Sequence, residues 1–352
     1  MNTIGIAMSG GVDSSVSASI LKQQGFAVHG FFMKLPVPGV EEHLTRVRAV
    51  AGKLNVPLAI VDLEELFTER VINVFIDTYR KGRTPNPCII CNRQIKFGAL
   101  RRYMHAQGMN KIATGHYARI GRTRDGLLAV QRGRDNTKDQ SYFLCRLTGD
   151  QLENMIMPLG ELHKTAVYQM ARELGLESVH GPESQDICFL AGRSVATFFA
   201  ARGVREMPGE IVTADGRTLG HHRGLWHFTI GQRRGLGLPD ATPWYVQRLD
   251  ESRNQVIVCK QEGLITDRVL VTHVRWTTPP SSNWQGRVQV RGRQRSTPAC
   301  LEHDFGDTWR ITFTQPQRAV TPGQFAAFYE DELVCGSGII TRPDRALTEV
   351  PG

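Results

Sequence analysis

The residues best placed for chemistry stand at the start of the chain. Ser9-Gly10-Gly11-Val12-Asp13-Ser14-Ser15 follows the apolar run Ile4-Gly5-Ile6-Ala7-Met8 and precedes Val16-Ser17-Ala18-Ser19-Ile20-Leu21. This reads as strand, glycine turn and a helix starting near Ser14. Glycine lets a backbone curl until its N–H groups reach phosphate oxygens, and a helix N-terminus adds positive potential at the same point. The serine hydroxyls add donors. Asp13 would repel a phosphate, so its presence points to a bridging cation, most simply Mg2+. Neither the Gly-Lys-Ser/Thr ending of a Walker A loop nor the Gly-x-Gly-x-x-Gly of a dinucleotide site is present.

Two thiols form a second group. Thr84-Pro85-Asn86-Pro87-Cys88-Ile89-Ile90-Cys91-Asn92 is a proline-stiffened loop that offers Cys91 to the start of a following helix. That helix end, with Arg83, Arg93 and Lys96 nearby, is expected to favour the thiolate. Cys188 lies in Pro182-Glu183-Ser184-Gln185-Asp186-Ile187-Cys188-Phe189, a polar loop running into apolar chain. Two reactive cysteines beside an anion-binding loop suggest sulfur transfer. Cys145, Cys259, Cys300 and Cys335 read as buried small hydrophobes. Zinc is not expected, because no second Cys-x-x-Cys or His pair completes Cys88-x-x-Cys91.

Positioning these groups requires a scaffold. The 352 residues are too many for one ordinary core, and 41% hydrophobic with 22% charged residues is usual for a soluble globular chain. No apolar run approaches the roughly 18 residues of a membrane span, so a cytoplasmic protein is expected. Seven cysteines without a signal peptide argue against a disulfide framework. Net charge +9 and pI near 9.4 suggest a polyanionic partner. Up to residue 192, strand-like Ala27 to Met33, Leu58 to Val61 and Ile112 to Thr114 alternate with helical patterns at Leu44 to Leu54, Leu66 to Tyr79 and Ile95 to His105. That alternation is the signature of a parallel α/β sheet whose strand ends share one edge. After the helical segment Val195 to Arg202 the pattern turns to short strands: Gly209 to Val212, Trp244 to Gln247, Gln255 to Val258, Val269 to Val274, Val288 to Val290, Arg310 to Phe313 and Ala326 to Tyr329. The expected domains are 1–192, a central small β domain 193–263 and a C-terminal β-barrel 264–352.

The Ser-Gly-Gly-x-Asp-Ser run resembles the PP-loop of ATP pyrophosphatases, which split ATP into AMP and pyrophosphate to adenylate a carbonyl oxygen. Further motifs sharpen the likeness. They are Phe32-Met33-Lys34, Gly82-Arg83-Thr84-Pro85-Asn86-Pro87, Ala113-Thr114-Gly115-His116-Tyr117, and Asp135 with Lys138-Asp139-Gln140-Ser141-Tyr142-Phe143-Leu144. Thr229-Ile230-Gly231-Gln232-Arg233-Arg234-Gly235-Leu236-Gly237 and Ala319-Val320-Thr321-Pro322-Gly323-Gln324 follow. In order and spacing the chain resembles the tRNA-specific 2-thiouridylase family over nearly its whole length.

The resemblance implies a PP-loop, adenine nucleotide alpha hydrolase-like fold and 2-thiolation of the wobble uridine of tRNA. It implies an ATP site at Ala7, Met8, Ser9, Gly10, Gly11, Val12, Asp13, Ser14, Met33 and Gly115. Cys188 would carry sulfur as a persulfide, supplied by a cysteine desulfurase or a sulfur-relay protein, and Cys91 would complete transfer through a Cys91–Cys188 disulfide. Contacts with tRNA are implied at Asn86, Pro87, Cys88, His116, Lys138, Asp139, Gln140, Arg291, Gly292 and Gln324. The β-domain arginines Arg287, Arg291, Arg293 and Arg295 are further sources of such contacts.

The chain departs from the family where Cys88 replaces a usual aspartate, where the segment from Lys34 to Glu41 is short, and where Gly292 replaces a common aromatic residue. With Cys88 present, Cys88, Cys91 and Cys188 also offer three ligands for a 4Fe-4S cluster. A PP-loop ligase or amidotransferase acting on a small molecule, and a non-catalytic RNA-binding protein, are the readings from other classes.

Overall fold

A computed structural model describes residues 3–176, 187–280 and 283–341. The chain divides into two compact units. The first comprises the described residues up to Ile72, with Pro87–Gly192 and Glu332–Cys335; the second comprises Asn73–Asn86, Arg193–Asp331 and the described residues from Gly336 onward.

The first unit is a five-stranded parallel sheet. Its strands are β1 (Thr3–Ala7), β2 (Ala27–Lys34), β3 (Leu58–Asp62), β4 (Lys111–Ala113) and β7 (Met155–Ile156), in the order β3-β2-β1-β4-β7. Ile4 and Ile6 in central β1 are wholly buried, as expected for a strand covered on both faces. Helices α1 (Val12–Gln23) and α2 (Val40–Leu54) join the core through Ala18, Leu21, Leu44, Val47 and Val50. The strand order reverses between β1 and β4, and ligands of open α/β sheets bind in the crevice beyond that point. Here the crevice is bounded by the loop after β1 and by Thr114-Gly115-His116 after β4.

Several local expectations are corrected. Helix α1 begins at Val12 rather than near Ser14. The patterns at Leu66 to Tyr79 and Ile95 to His105 are not uniform α-helix. Thr68–Asn73 and Asn92–Leu100 take the wider π pitch, flanked by α-helical Glu64–Phe67, Val74–Arg80, Pro87–Cys91 and Arg101–Ala106. Cys91 therefore closes a short helix that starts at Pro87 and runs on as π-helix. An antiparallel hairpin, β5 (Ala118–Arg122) and β6 (Leu128–Arg132), also interrupts the α/β alternation.

The second unit packs Phe75 and Tyr79 edge-on against Phe198 and Phe199. A four-stranded mixed sheet has the order β10 (Tyr245–Asp250), β11 (Gln255–Cys259), β8 (Gly209–Thr213), β9 (Thr218–His222). It is followed by a closed six-stranded barrel. The strands β12 (Ile265–Trp276), β15 (Thr308–Arg318), β14 (Thr297–Phe305), β13 (Trp284–Gln289), β16 (Phe325–Glu330) and β17 (Leu333–Ile340) close through β12–β17 pairing. Trp276, Trp284 and fully buried Phe328 meet with ring centroids 5.1–5.8 Å apart. Closure removes the unpaired strand edges that invite aggregation. Among the described residues no helix is long and apolar enough to cross a membrane.

Candidate functional site

The glycine loop is held by its own serines. The Ser9 N–H donates to Ser14 Oγ at 3.2 Å, and the Ser14 and Ser15 hydroxyls donate to the Gly11 carbonyl at 3.1 and 2.8 Å. Gly11 is the helix N-cap and offers no side chain to its first turn, so those N–H groups keep their capacity for an anion. Gly10 has φ +76°, and a Cβ there would lie 3.0 Å from the Val47 backbone nitrogen. Gly10→Ala is therefore expected to cost about 1–3 kcal/mol of strain, read as a lowered urea midpoint together with weakened ATP binding.

Asp13 is answered from within the chain. Its Oδ1 accepts from Lys164 Nζ at 2.7 Å and from the Tyr117 hydroxyl at 2.8 Å. A lysine ammonium, its side chain 8% exposed, thus supplies positive charge to Asp13 from within the chain. Asp135 sets that lysine in place. Its Oδ2 accepts the Lys164 backbone N–H at 3.0 Å, at the start of the Lys164–Glu173 helix, and its Oδ1 accepts from Thr137 N and Oγ1. Burial pushes the Asp135 carboxyl up, but the Lys164 N–H and Thr137 donors outweigh it and the net shift is down. Lys164 and Tyr117 were not singled out for the nucleotide site from sequence.

Gly115 and His116 link the loop to the segment that follows Cys91. A Cβ on Gly115 would sit 3.0 Å from the Asp13 carbonyl carbon and the Ser14 nitrogen, so this residue abuts the loop. The next residue, His116, packs its ring against Phe97 at 5.6 Å, on the π-helical segment that follows Cys91. Its Nδ1 is 2.9 Å from Thr114 Oγ1. Burial, aided by the Lys96 charge, holds His116 well below its ordinary pKa and keeps the ring neutral at pH 7. Two consecutive residues thus abut the Asp13 loop and the π-helical segment that follows Cys91.

Cys88, Cys91 and Cys188 act on one another electrostatically, and Lys96 acts on all three. Burial pushes Cys88 up to about 11, with the Cys188 charge adding to the rise and Lys96 opposing it. Burial pushes Cys91 up to about 12, opposed by Lys96 and reinforced by both other sulfurs. Cys188 is exposed as a residue, yet the chain around its sulfur raises its pKa, against Lys96 and the N–H groups of Phe189 and Cys188. The expected thiolate at Cys91 is therefore corrected: it stands one helical turn inside its segment, and desolvation outweighs the nearby cation.

No disulfide joins any of the seven cysteines; Cys145 and Cys335 are buried as expected, whereas Cys259 and Cys300 are only half-buried. Among the described residues no three His, Cys, Asp or Glu side chains are grouped to hold one metal ion. This arrangement of Cys88, Cys91 and Cys188 does not fit a three-cysteine cluster. Ser184, Gln185 and Asp186 lie outside the described residues.

The raised thiol values set a pH dependence. A protonated thiol whose pKa is higher in the fold than its unfolded value of 9.0 contributes stability that is complete below pH 9 and lost as pH rises toward about 12. Unfolding midpoints are expected to fall above pH 9. Iodoacetamide should label exposed Cys188 before Cys91 at every pH.

Residues 2–192 match the family model described as tRNA methyl transferase HUP domain. Residues 197–260 match a tRNA methyl transferase PRC-barrel domain, and 266–340 an aminomethyltransferase beta-barrel domain. A protein of Desulfotalea psychrophila called tRNA-specific 2-thiouridylase MnmA is 44% identical over 342 residues, covering 96% of this chain and 99% of that one. One of Trichlorobacter lovleyi, with the same name, is 41% identical over 347 residues, covering 97% and 98%. The chain belongs to the tRNA-specific 2-thiouridylase MnmA family.

In this member of the MnmA family the nominated nucleotide residues gather at one sheet edge. Ala7, Met8 and Ser9 leave β1, Gly10, Gly11, Val12, Asp13 and Ser14 turn into α1, Met33 lies near the end of β2, and Gly115 follows β4. The residues nominated for tRNA are divided between the two units. Pro87, Cys88, His116, Lys138, Asp139 and Gln140 belong to the first, and Asn86, Arg291, Gly292 and Gln324 to the second.

Several of them are engaged within the chain. Asp139 accepts from Arg132 Nη1 and Ser141 Oγ at 2.8 Å and from the Gly133 and Ser141 N–H groups at 3.0 Å. Gln140 Oε1 accepts the Tyr117 N–H at 2.9 Å. Lys138 donates its N–H to the Asp135 carbonyl at 3.0 Å. Arg291 Nη2 donates to the Ala319 carbonyl and Thr321 Oγ1 at 2.6 Å, and the Gly292 carbonyl accepts from Gln289. Gln324 Nε2 donates to the Thr84 and Pro85 carbonyls, both at 3.0 Å, while its Oε1 accepts from Asn86 Nδ2 at 3.4 Å. Gln324 thereby shapes the loop that leads to Cys88.

Proposed function

We propose that this chain uses ATP to adenylate O2 of the wobble uridine of tRNA and replaces that oxygen with sulfur carried by Cys188, giving 2-thiouridine. The observation that supports it is the Gly115-His116 pair, which touches both the loop at Asp13 and the helix behind Cys91. Activation and sulfur delivery then serve one base.

The chemistry follows from the groups present. The N–H groups of Gly10 to Ser14 would hold the phosphates of ATP, with Mg2+ entering as part of the MgATP substrate. Lys164 holds Asp13 in place and offsets its charge. Uridine O2 attacks the α-phosphorus, pyrophosphate leaves, and the base carries AMP on a carbon–oxygen bond that now breaks readily. The terminal sulfur of a Cys188 persulfide bonds to C2 and AMP departs. The Cys91 thiol then attacks the Cys188 sulfur, its proton passing to the departing thiouridine sulfur. The new Cys91–Cys188 disulfide releases 2-thiouridine, and an external dithiol reduces it. A cysteine desulfurase or sulfur-relay protein supplies the persulfide sulfur.

Extruding the base from the anticodon stack costs about a few kcal/mol, which phosphate contacts along the tRNA offset. Pro87, Cys88, His116, Lys138, Asp139 and Gln140 in the first unit, with Asn86, Arg287, Arg291, Gly292, Arg293, Arg295 and Gln324 in the second, are the proposed contacts. Functional boundaries near 192 and 263 and a place in the cytoplasm complete the reading.

Incubation with tRNA, MgATP, cysteine and a cysteine desulfurase should yield 2-thiouridine by nucleoside mass spectrometry. An absence of that nucleoside, with pyrophosphate still released from ATP on a small-molecule substrate, would instead identify a ligase. Iron and acid-labile sulfide in active, anaerobically purified enzyme would overturn the persulfide route in favour of a 4Fe-4S cluster.

A further inference from the structure

The residue after Cys91 is a buried amide that the chemistry above does not use. Asn92 is 4% exposed, and its Nδ2 donates to the Phe143 carbonyl at 3.0 Å. A buried amide left without a partner is costly, so this bond fixes where the segment after Cys91 starts. Phe143 is in turn suspended from the nucleotide loop. Its N–H donates to the Gln140 carbonyl at 3.0 Å, Gln140 bonds the Tyr117 carbonyl and N–H through its own N–H and Oε1 at 2.9 Å, and the Tyr117 hydroxyl donates to Asp13. Hydrogen bonds and short stretches of backbone thus join Asp13 to the neighbour of Cys91.

A second amide braces the same segment from another element. Gln151, in the helix Gly149–Leu152, donates its Nε2 to the Arg93 and Phe97 carbonyls at 2.7 and 3.0 Å. Its Oε1 accepts the Thr148 N–H at 3.2 Å, so both ends of the side chain are engaged. A nine-residue π stretch is uncommon, and tying two of its carbonyls to one outside amide holds Asn92–Leu100 at the wide pitch.

We propose that Asn92 and Gln151 are positioning residues for sulfur transfer: they hold the segment that begins at Cys91 so that its thiol meets the Cys188 sulfur, and Asn92 ties that placement to the nucleotide loop. The inference rests on the role given to Cys91 above. Replacing either amide removes placement and no reacting group. Adenylation comes before this step and draws on the Asp13 end of the connection, so it survives the change.

The test follows one turnover of persulfide-loaded enzyme with tRNA and MgATP in wild type, Asn92→Leu and Gln151→Glu. The last keeps the bond to Thr148 but sets an acceptor against two carbonyls. Pyrophosphate release is expected within about twofold of wild type, while the reducible Cys188–tRNA adduct decays about ten- to a hundredfold more slowly, as a misplaced reacting group dictates. A second measurement needs no tRNA. Peptide mapping of the free variants, at temperatures where melting curves show them folded, should find Cys91 alkylated by iodoacetamide about fivefold faster, as loss of one net hydrogen bond allows. Parallel slowing of pyrophosphate release and adduct decay, with Cys91 alkylation unchanged, would assign both residues to general stability and overturn the proposal. Wild-type behaviour in both variants would also overturn it. Should wild type form no 2-thiouridine, the reading of Cys91 fails, and alkylation alone decides: faster labelling upholds the hold on that thiol, and unchanged labelling removes it.

Discussion

Replacing Cys188 with serine is expected to abolish formation of 2-thiouridine, by about 10³-fold or more, as loss of a covalent nucleophile does, while pyrophosphate release driven by tRNA continues. The two outcomes separate because Cys188 is an exposed residue at a turn, whereas the nucleotide loop is held by Ser9, Ser14, Lys164 and Tyr117. Exposure also makes serine acceptable to the fold, so melting temperature should not move. Cys91→Ser should fail later. Sulfur would reach the base, but the tRNA would stay joined to Cys188 through a disulfide, visible as a protein–RNA adduct that a reducing agent dissolves. Cys259→Ser and Cys300→Ser should be active. Full 2-thiouridine yield from Cys188→Ser would remove that sulfur from the reaction.

The second large effect is expected at Lys164. Its ammonium is buried against Asp13 at 2.7 Å, and Asp13 stands in the first turn of the helix that faces the phosphates. Lys164→Met leaves that carboxylate uncompensated beside an incoming polyanion, with only the Tyr117 hydroxyl still bonded to it. Losing one partner of such a pair leaves the other charge stranded, and kcat/KM for ATP is expected to drop by about 10²-fold. The double variant Asp13→Asn/Lys164→Met should be less impaired than the product of the two single effects, since each single change strands what the other removes. Steady-state pyrophosphate release measures both. Multiplicative losses would show that the two side chains act independently.

Much of the first unit was readable from residue order. Alternating apolar runs and helical patterns gave the parallel sheet, and the serine-flanked glycines gave the turn from β1 into α1, because both are local signals. Lys164 was not readable as a site residue, since 151 positions separate it from Asp13 and only the fold of the Lys164–Glu173 helix against the sheet joins them. The state of Cys91 was misjudged for a related reason. A sequence displays neighbouring charges but not desolvation, and desolvation prevails there.

Three β-domain strands escaped notice on account of composition. β9 is short and rich in histidine and glycine, β14 carries Pro298, Glu302, His303 and Asp304, and β17 holds Gly336, Ser337 and Gly338 where strands normally carry branched residues. Gly336 has a packing reason: a Cβ would fall 2.7 Å from the Arg275 carbonyl oxygen of β12. The two π-helical segments left no mark, because their wider turn imposes no residue period distinct enough to separate from an α pattern.

The segment Asn92–Leu100 has a bearing on which sequence changes the lineage can accept. Substitutions on its outer side leave its winding alone, but deleting a single residue would let it relax to the ordinary helical pitch and so change how its side chains are presented along its length. Cys91 and Phe97 would then face different directions, and no change of side chain could restore the register. The stretch acts as a gauge of fixed length: its outward letters are free to drift, its count is not.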